Sequence, residues 1–201
     1  MQYYHDIITE KSFKFLQEFK QRFQFILIGG WAVFLYTHAL KSKDIDVIID
    51  YPELGKLKNE FEVFKNARLK KYEIKTGEFD VDIYLPRYSD LGIDTEEIKK
   101  SATVKGGFIV PQLEILFLLK IYAWKARRGS VKGQKDEADL FSLVSLPEFN
   151  WQKYKKFAAD FKFEEECDLF VNLLKKTSKA DVLGLNAQQF SKLKKNILSK
   201  I

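Results

Sequence analysis

One stretch of 26 residues, Phe25–Asp50, constrains the fold of this chain more than any other. It opens with four apolar residues, FILI, which is enough for one buried strand. Gly29-Gly30 is predicted to end that strand, because glycine adopts turn conformations and lets another group approach the backbone closely. Trp31–Leu40 has helical composition, and after the polar segment Lys41–Lys43 the sequence DIDVII predicts a second strand.

Asp44 and Asp46 lie two positions apart in that second strand. Side chains on a strand alternate between faces, so both carboxylates are predicted to point the same way while Ile45 and Val47 point into the core. Two carboxylates on one face repel each other unless a cation lies between them, and Mg²⁺ takes oxygen ligands. A lone Asp-x-Asp also occurs on solvated strand edges, but the preceding Gly-Gly turn favours a functional site.

A second pair of acidic residues follows in a predicted hairpin. Residues 68–75 and 79–85 have strand character and are joined around Thr76-Gly77. Asp80 and Asp82 are predicted to share one face of the second strand, opposite its apolar residues.

Hydrophobic periodicity predicts the remaining elements and two parts of the chain. In residues 1–110 we expect a mixed, strongly twisted sheet of about five strands with flanking helices, and in residues 111–201 a helical part that closes one side of a cleft. The other predicted elements of the first part are a helix over 5–23, a helix over 54–64 with Leu57, Phe61 and Phe64 inward, a helical turn capped by Asp94, and a strand over 101–110 broken or bulged at Gly106-Gly107. Helices are predicted from Pro111 onward, including 150–161, 164–176 and 187–199.

Lys120 lies in the middle of the apolar segment 113–128, which predicts a buried helix. An unpaired buried ammonium is costly, so Lys120 either has an anionic partner or extends its amine to the solvent. Further on, Asp136 and Asp139 are three residues apart and share a helical face.

Composition excludes several kinds of site. The chain has one cysteine and two histidines, which excludes an intramolecular disulfide and makes a cysteine or histidine metal cluster improbable. No signal peptide and no membrane span are expected, so the expected location is the cytoplasm. The net charge is +6, of which residues 151–201 supply +5, with 11 Lys against 6 Asp and Glu. This basic stretch indicates either a surface for a polyanion or a lysine-rich solvated helical face.

The sequence contains a glycine pair that is followed, after thirteen residues, by Asp-x-Asp. This pattern resembles the signature of the nucleotidyltransferase superfamily. The thirteen-residue spacing resembles that of the AbiEii branch, whose members are toxins of toxin–antitoxin systems. The resemblance implies a third metal-binding carboxylate on the strand that ends in DIYL, for which Asp82 is the better candidate and Asp80 stays open. LLKIYAWKARR followed by KDEADLFSL resembles later motifs of the branch. It implies that Lys120 holds the triphosphate, that Lys135 and Asp136 line the pocket, and that Asp139 braces a basic residue.

The resemblance implies transfer of a nucleotide from an NTP to an acceptor with release of pyrophosphate. Two Mg²⁺ ions held by Asp44, Asp46 and Asp82 would stabilise the attacking and leaving oxygens. Gly29-Gly30 and Lys43 would contact the phosphates. The expected acceptor is RNA, at a tRNA end, and an antitoxin protein is a further possible partner. The alternatives are transfer to a protein or small-molecule hydroxyl, and a non-catalytic toxin–antitoxin partner with the same fold.

Overall fold

The structure is a computed structural model that describes the backbone of residues 2–201 and the side chains of residues 6–201. The chain divides into two compact units, Met1–Gln112 and Leu113–Ile201. The elements of the first unit are, in chain order, α1 (Gln2–Arg22), β1 (Ile26–Ile28), α2 (Gly29–Thr37), β2 (Ile45–Ile48), α3 (Tyr51–Glu60), β3 (Val63–Asn66), β4 (Lys71–Lys75), β5 (Asp80–Tyr84), α4 (Thr95–Lys100), β6 (Ala102–Lys105) and β7 (Phe108–Pro111).

Five strands of the first unit form a mixed sheet in the order β1-β2-β5-β4-β3. The β2–β5 pair is parallel and the other three pairs are antiparallel. The fold class predicted from the sequence, a mixed α/β sheet of about five strands with flanking helices, is confirmed.

One face of this sheet forms the core of the first unit. It is made by apolar side chains that are fully buried: Leu27, Ile45, Val47, Val81 and Ile83. Aromatic side chains of α1 pack beside it, with Phe15 in contact with Phe79 and Phe19 in contact with Phe25. The alternation that buries these residues places the intervening polar residues of β2 and β5 on the opposite face.

The region after α3 differs from the sequence prediction. The helix ends at Glu60, Phe61 is extended, and Val63–Asn66 forms the edge strand β3 against β4. Phe64 was predicted to face inward from a helix; this is wrong, because Phe64 lies on β3 and is 42% exposed. Pairing with β4 satisfies the backbone groups of Val63–Asn66, which a frayed helix end would leave open.

Residues 101–110 also differ from prediction. They form two antiparallel strands, β6 and β7, in a separate two-stranded sheet. Gly106 and Gly107 have φ of 56° and 77°, which suits the tight turn of a hairpin between two strands and not a bulge in one. Pro111 ends β7 and does not begin a helix, since the next helix starts at Leu113.

The second unit is helical in its regular structure. Its elements are α5 (Leu113–Arg127), α6 (Val131–Val144), α7 (Trp151–Asp160), α8 (Glu164–Lys176), a short 3₁₀ turn (Asp181–Leu183) and α9 (Ala187–Leu198). These bounds confirm the three helices predicted after Pro147. Phe117 of α5 is fully buried, and its ring contacts those of Phe149, Tyr154 and Phe170. Across the described residues, no helix has the length and apolarity needed to span a membrane.

Candidate functional site

Three acidic side chains form a row across the solvent-facing side of the five-stranded sheet. The strand register pairs Asp46 of β2 with Asp82 of β5, and Asp82 with Glu73 of β4. Neighbouring strands lie about 4.8 Å apart, so each carboxylate has another one beside it. We call this side of the sheet the carboxylate face, and define it by Asp46, Asp82 and Glu73.

Asp46 lies directly against the start of α2. Gly29 has a φ of +66°, and a Cβ added to it would lie 2.6 Å from Cγ of Asp46 and overlap the carboxylate. Tyr84 donates a hydrogen bond to Oδ1 of Asp46 at 3.3 Å. Position 29 therefore needs glycine for two reasons, its backbone conformation and the closeness of Asp46. The sequence predicts that another group approaches the backbone closely at Gly29-Gly30, and in the structure that group is the carboxylate of Asp46.

Asp82 is the most perturbed carboxylate of the row. Burial and, after it, the negative charge of Asp46 raise the pKa of Asp82 to about 6, although Lys71 acts in the opposite direction. The side chain is 17% exposed. The charge of Asp46 therefore disfavours ionisation of Asp82, and a cation between the two carboxylates would relieve that repulsion.

Lys71 of β4 already supplies one positive charge. Its Nζ lies 2.6 Å from Oδ2 of Asp82 and 3.0 Å from Oε1 of Glu73, and its side chain is 12% exposed. Burial alone would lower the pKa of Lys71, but the hydrogen bonds and charges of Asp82 and Glu73 outweigh burial and raise it. Asn66 donates a second hydrogen bond to Oε1 of Glu73 at 3.0 Å. The ammonium is thus a fixed part of the carboxylate face.

Lys71 and Glu73 are not among the site residues predicted from the sequence. A signal for them was present, because the hairpin around Thr76-Gly77 pairs Lys75 with Asp80. Strand alternation then places residues 71 and 73 on the face of Asp82.

Asp44 and Lys43 precede β2. Oδ1 of Asp44 accepts a hydrogen bond from the backbone N–H of Asp80 at 3.3 Å, so Asp44 lies opposite the start of β5. Asp82, by contrast, is the residue paired with Asp46. Lys43 is exposed. The structure therefore brings Asp46 and Asp82 together, and it places Asp44 beside the start of β5, next to Asp80.

A divalent cation suits the carboxylate face by its chemistry. The available ligands are carboxylate oxygens, which Mg²⁺ prefers, and the pKa of Asp82 is raised by burial first and by the charge of Asp46 second. In the part of the chain that the structure describes, no group of three or more His, Cys, Asp or Glu side chains is gathered closely enough to hold a metal ion. The side chains thus offer a pair of ligands, with one Asp82 oxygen directed at Lys71, and the magnesium site stays a prediction.

The predicted site residues of the second unit form a separate ion-pair cluster. Lys120 donates a hydrogen bond to Oδ1 of Asp136 at 3.1 Å, and its Nζ lies 2.6 Å from Oδ2 of Asp139. Arg127 reaches Oδ2 of Asp136 with its Nε at 2.9 Å. The side chains of Lys120, Asp136 and Asp139 are at most 8% exposed. We call these four residues the buried ion cluster.

The buried ion cluster decides between the two predictions for Lys120. The amine does not extend to solvent; burial would lower its pKa, but the charges of Asp139 and Asp136 outweigh burial and raise it. The prediction that Asp139 braces a basic residue is confirmed. Triphosphate binding by Lys120 would require these ion pairs to open, and that role, like those of Asp136 and the half-buried Lys135, stays a prediction.

Comparison with known proteins adds information about the fold. No model of a protein family matches the sequence, and no curated protein is similar to it. Among solved structures, one named "putative nucleotidyltransferase" from Helicobacter pylori aligns with a TM-score of 0.54 at 16% identity, covering 96% of this chain and 94% of that one.

Two further structures align with lower scores. One is an antigenic nucleotidyltransferase-like protein from Paracoccidioides brasiliensis, with a TM-score of 0.46, 16% identity, and coverage of 85% of this chain and 88% of that chain. The other is JHP933 from Helicobacter pylori, with a TM-score of 0.47, 17% identity, and coverage of 89% and 85%.

Proposed function

We propose that this protein is a metal-dependent nucleotidyltransferase that transfers a nucleotide from an NTP to an acceptor. The observation that carries the proposal is the pairing of Asp46 with Asp82 on adjacent parallel strands, directly beneath the glycine start of α2. The likeness to the solved structure with the TM-score of 0.54 supports the fold, and the carboxylate face supports the chemistry.

The carboxylate face would hold the metal. Asp46 and Asp82 are the first ligands in this proposal, and Asp44 joins them by a change of side-chain rotamer. A bound Mg²⁺ would stabilise the negative charge that develops on the oxygens around the α-phosphorus. The oxygens of these carboxylates would hold such a hard cation on the face of the sheet opposite the buried apolar residues of β2 and β5.

The start of α2 would bind phosphate oxygens. The residue before the helix, Ile28, gives no side-chain hydrogen bond to the first turn, so the backbone N–H groups of that turn are not capped by it. Such N–H groups and the positive end of the helix favour phosphate. Ile28 is also the register partner of Asp46, which places this helix start next to the proposed metal ligands. The exposed Lys43 would add a positive charge for the triphosphate.

The proposed transfer exchanges one phosphorus–oxygen bond for another. An oxygen of the acceptor hydroxyl forms a bond to the α-phosphorus, and the bond between that phosphorus and the bridging oxygen of the β-phosphate breaks. Pyrophosphate leaves with the electron pair, and the hydroxyl proton passes to solvent. The chain's residues contribute by orienting the α-phosphate between the glycine turn and the two carboxylates, which is the main source of catalysis in phosphoryl and nucleotidyl transfer.

RNA is the acceptor we propose, with a tRNA end as the site of modification and an AbiEii-like toxin role. The support for RNA is the excess of five positive charges in residues 151–201. In this proposal Lys120, Lys135 and Asp136 help to bind the nucleotide once the buried ion cluster opens.

Labelled nucleotides test the acceptor. The protein is incubated with each α-³²P-labelled NTP in turn, Mg²⁺ and total cellular RNA, and the products are separated on denaturing gels. We expect labelled RNA that is lost when Mg²⁺ is removed by EDTA, with RNA binding that weakens steeply as salt rises. Label in protein or in a small molecule would contradict RNA as the acceptor but would agree with a nucleotidyltransferase activity. Absence of label in any product would contradict both.

A further inference from the structure

Phe64 lies at the edge of the five-stranded sheet, on the same side as the carboxylate face. The strand register pairs Phe64 with Glu73, Glu73 with Asp82, and Asp82 with Asp46. Residues in register on neighbouring strands point to the same side of a sheet. Phe64 is 42% exposed, whereas the apolar residues on the opposite side of β2 and β5 are buried. Packing of the core therefore does not require an aromatic ring at this position.

The hairpin that carries Phe64 is strongly basic. Residues 63–75 span β3, a turn and β4, and they contain five Lys and Arg against one Glu. Lys71 and Lys75 lie two positions to either side of Glu73, so both are diagonal neighbours of Phe64 on the same side of the sheet, at about 7–8 Å. Lys71 is held by Asp82 and Glu73. Lys75 is exposed, and among the described residues it has no salt-bridge partner.

We propose that Phe64 and Lys75 bind one nucleotide of the acceptor RNA, with its base stacked on the ring and its phosphate at the ammonium. We call these two residues the acceptor platform. The inference rests on the proposed function and assigns the acceptor side of the same site. Surfaces that bind single-stranded nucleic acids combine aromatic rings, on which any base stacks, with positive charges that follow the phosphates.

The direction of attack places the acceptor on this part of the sheet. In nucleotidyl transfer the attacking and leaving oxygens lie roughly in line, on opposite sides of the phosphorus. The proposed phosphate site is the start of α2, where Gly29 lies against Asp46 on the side of β1. Pyrophosphate thus leaves toward β1, and the attacking hydroxyl arrives from over β5, β4 and β3. Phe64 is two strands beyond Asp82, which is about 10 Å at the usual strand spacing.

RNA binding without metal or NTP tests the aromatic ring. A fluorescently labelled single-stranded RNA is titrated with the full chain in EDTA, and its anisotropy is measured for the wild type, Phe64→Ala and Phe64→Trp. The titrations are repeated with a sugar–phosphate chain of equal length that lacks bases. Ile109→Ala is the matched control, because Ile109 is 48% exposed on a strand of the other sheet. Far-UV CD checks the fold of each variant.

We expect Phe64→Ala to weaken RNA binding about tenfold or more, the scale of one stacked base, and Phe64→Trp to bind RNA as the wild type does. Phe64→Ala and the wild type should bind the chain without bases equally, and Ile109→Ala should change neither affinity. The acceptor platform would be overturned by a wild type that does not bind RNA, by unchanged RNA affinity in Phe64→Ala, or by an equal loss on the chain without bases.

The salt dependence of RNA binding tests the lysine. Each phosphate contact on a single strand adds about 0.7 to the slope with which the logarithm of the affinity falls against the logarithm of the salt concentration. We expect Lys75→Met to lower this slope by about 0.7 and Phe64→Ala to leave it unchanged. Lys65→Met is the matched control, because Lys65 is an exposed lysine of β3 on the other side of the sheet. Equal slopes in Lys75→Met and the wild type, or equal changes in both lysine variants, would contradict a specific phosphate contact at Lys75.

Calorimetry with ATP and Mg²⁺ distinguishes the acceptor from the incoming nucleotide. The wild type and Phe64→Ala should bind ATP equally. Weaker ATP binding with unchanged RNA binding in Phe64→Ala would assign the ring to the incoming nucleotide and overturn the acceptor platform. Transfer of labelled nucleotide is measured separately. Phe64-dependent RNA binding without any transfer would contradict the proposed function and leave a single-strand binding surface, whereas transfer to RNA whose binding does not depend on Phe64 would overturn the platform alone.

Discussion

Replacing Lys120 by Met is expected to destabilise the helical unit strongly. Methionine keeps an unbranched apolar side chain, one atom shorter, but removes the ammonium that faces Asp136 and Asp139. Arg127 continues to neutralise Asp136, whereas Asp139, whose side chain is 1% exposed, loses the partner it has in the buried ion cluster. Breaking a buried ion pair by removing one partner costs about 3–5 kcal/mol, and we expect the free energy of unfolding to fall by that amount.

A second substitution should restore most of that loss. In Lys120→Met/Asp139→Leu both partners are apolar, so no unpaired charge stays buried, and such replacements are often neutral or stabilising. The control is Lys179→Met in the same unit, where the lysine pairs with Asp181 and the two side chains are 60% and 81% exposed. That variant should lose less than about 1 kcal/mol, because exposed ion pairs contribute little.

Urea unfolding followed by far-UV CD measures all three variants. If Lys120→Met loses less than about 1 kcal/mol, or if the double variant is no more stable than the single one, the ion pairs do not stabilise the unit as argued. Lys120 would then be free to serve another purpose, such as the triphosphate.

Three further outcomes follow from the structure. Gly29→Ala should reduce nucleotide transfer at least about 100-fold, since the added Cβ would displace Asp46. The control Gly55→Ala, in open space on a helix, should not change transfer, and equal activity of the two variants would contradict the role of Gly29. Mn²⁺ affinity should fall about tenfold per pH unit below the Asp82 pKa of about 6, because protonation removes the negative charge of the Asp82 carboxylate. Affinities measured by calorimetry that do not change between pH 7 and pH 5 would contradict this. Phe117→Ala should cost about 3–5 kcal/mol in urea unfolding, because the buried ring has three aromatic neighbours with centroids 5.0–5.5 Å away, and a loss below about 1 kcal/mol would contradict it.

Local sequence signals were sufficient for most of the fold. Alternation of apolar and polar residues identifies β2 and β5, and helical periodicity gives α5, α7, α8 and α9 within one residue, whereas α6 begins at Val131, earlier than the sequence indicates. Asp94 caps α4 as predicted, accepting a hydrogen bond from the N–H of Glu96 at 2.8 Å. These features depend on neighbours in the chain, and so the sequence shows them directly.

Features that depend on pairing between distant segments were harder to predict. Phe64 looked like a buried helical residue because the register of β3 against β4 is not visible in β3 alone. Residues 101–110 looked like one strand because both their halves have strand composition, and only the paired geometry shows the hairpin. The apolar pattern therefore identifies most helices and strands but not every strand with which each strand pairs.

Some residues of the candidate site are likewise visible in the local sequence, whereas others depend on strand pairing. Asp46, Asp82 and Gly29 were identified from motif and alternation, and the structure places the first two side by side and the third against Asp46. Lys71 was missed because its importance comes from cross-strand pairing with β5, and a lysine in a short polar strand carries no signal of its own. The partner of Lys120 was expected to be anionic, and the structure identifies it as Asp136 and Asp139.

Pyrophosphate release reports nucleotide transfer whatever the acceptor is. The wild type is incubated with NTPs, Mg²⁺ and total RNA beside two variants with the same chemical change, Asp46→Asn on the carboxylate face and Asp50→Asn, an exposed position just beyond the end of β2. We expect pyrophosphate from the wild type and from Asp50→Asn. In Asp46→Asn we expect release to fall by at least about 1,000-fold with unchanged far-UV CD, which corresponds to about 4 kcal/mol of lost transition-state stabilisation. Equal release by Asp46→Asn and the wild type would contradict this expectation.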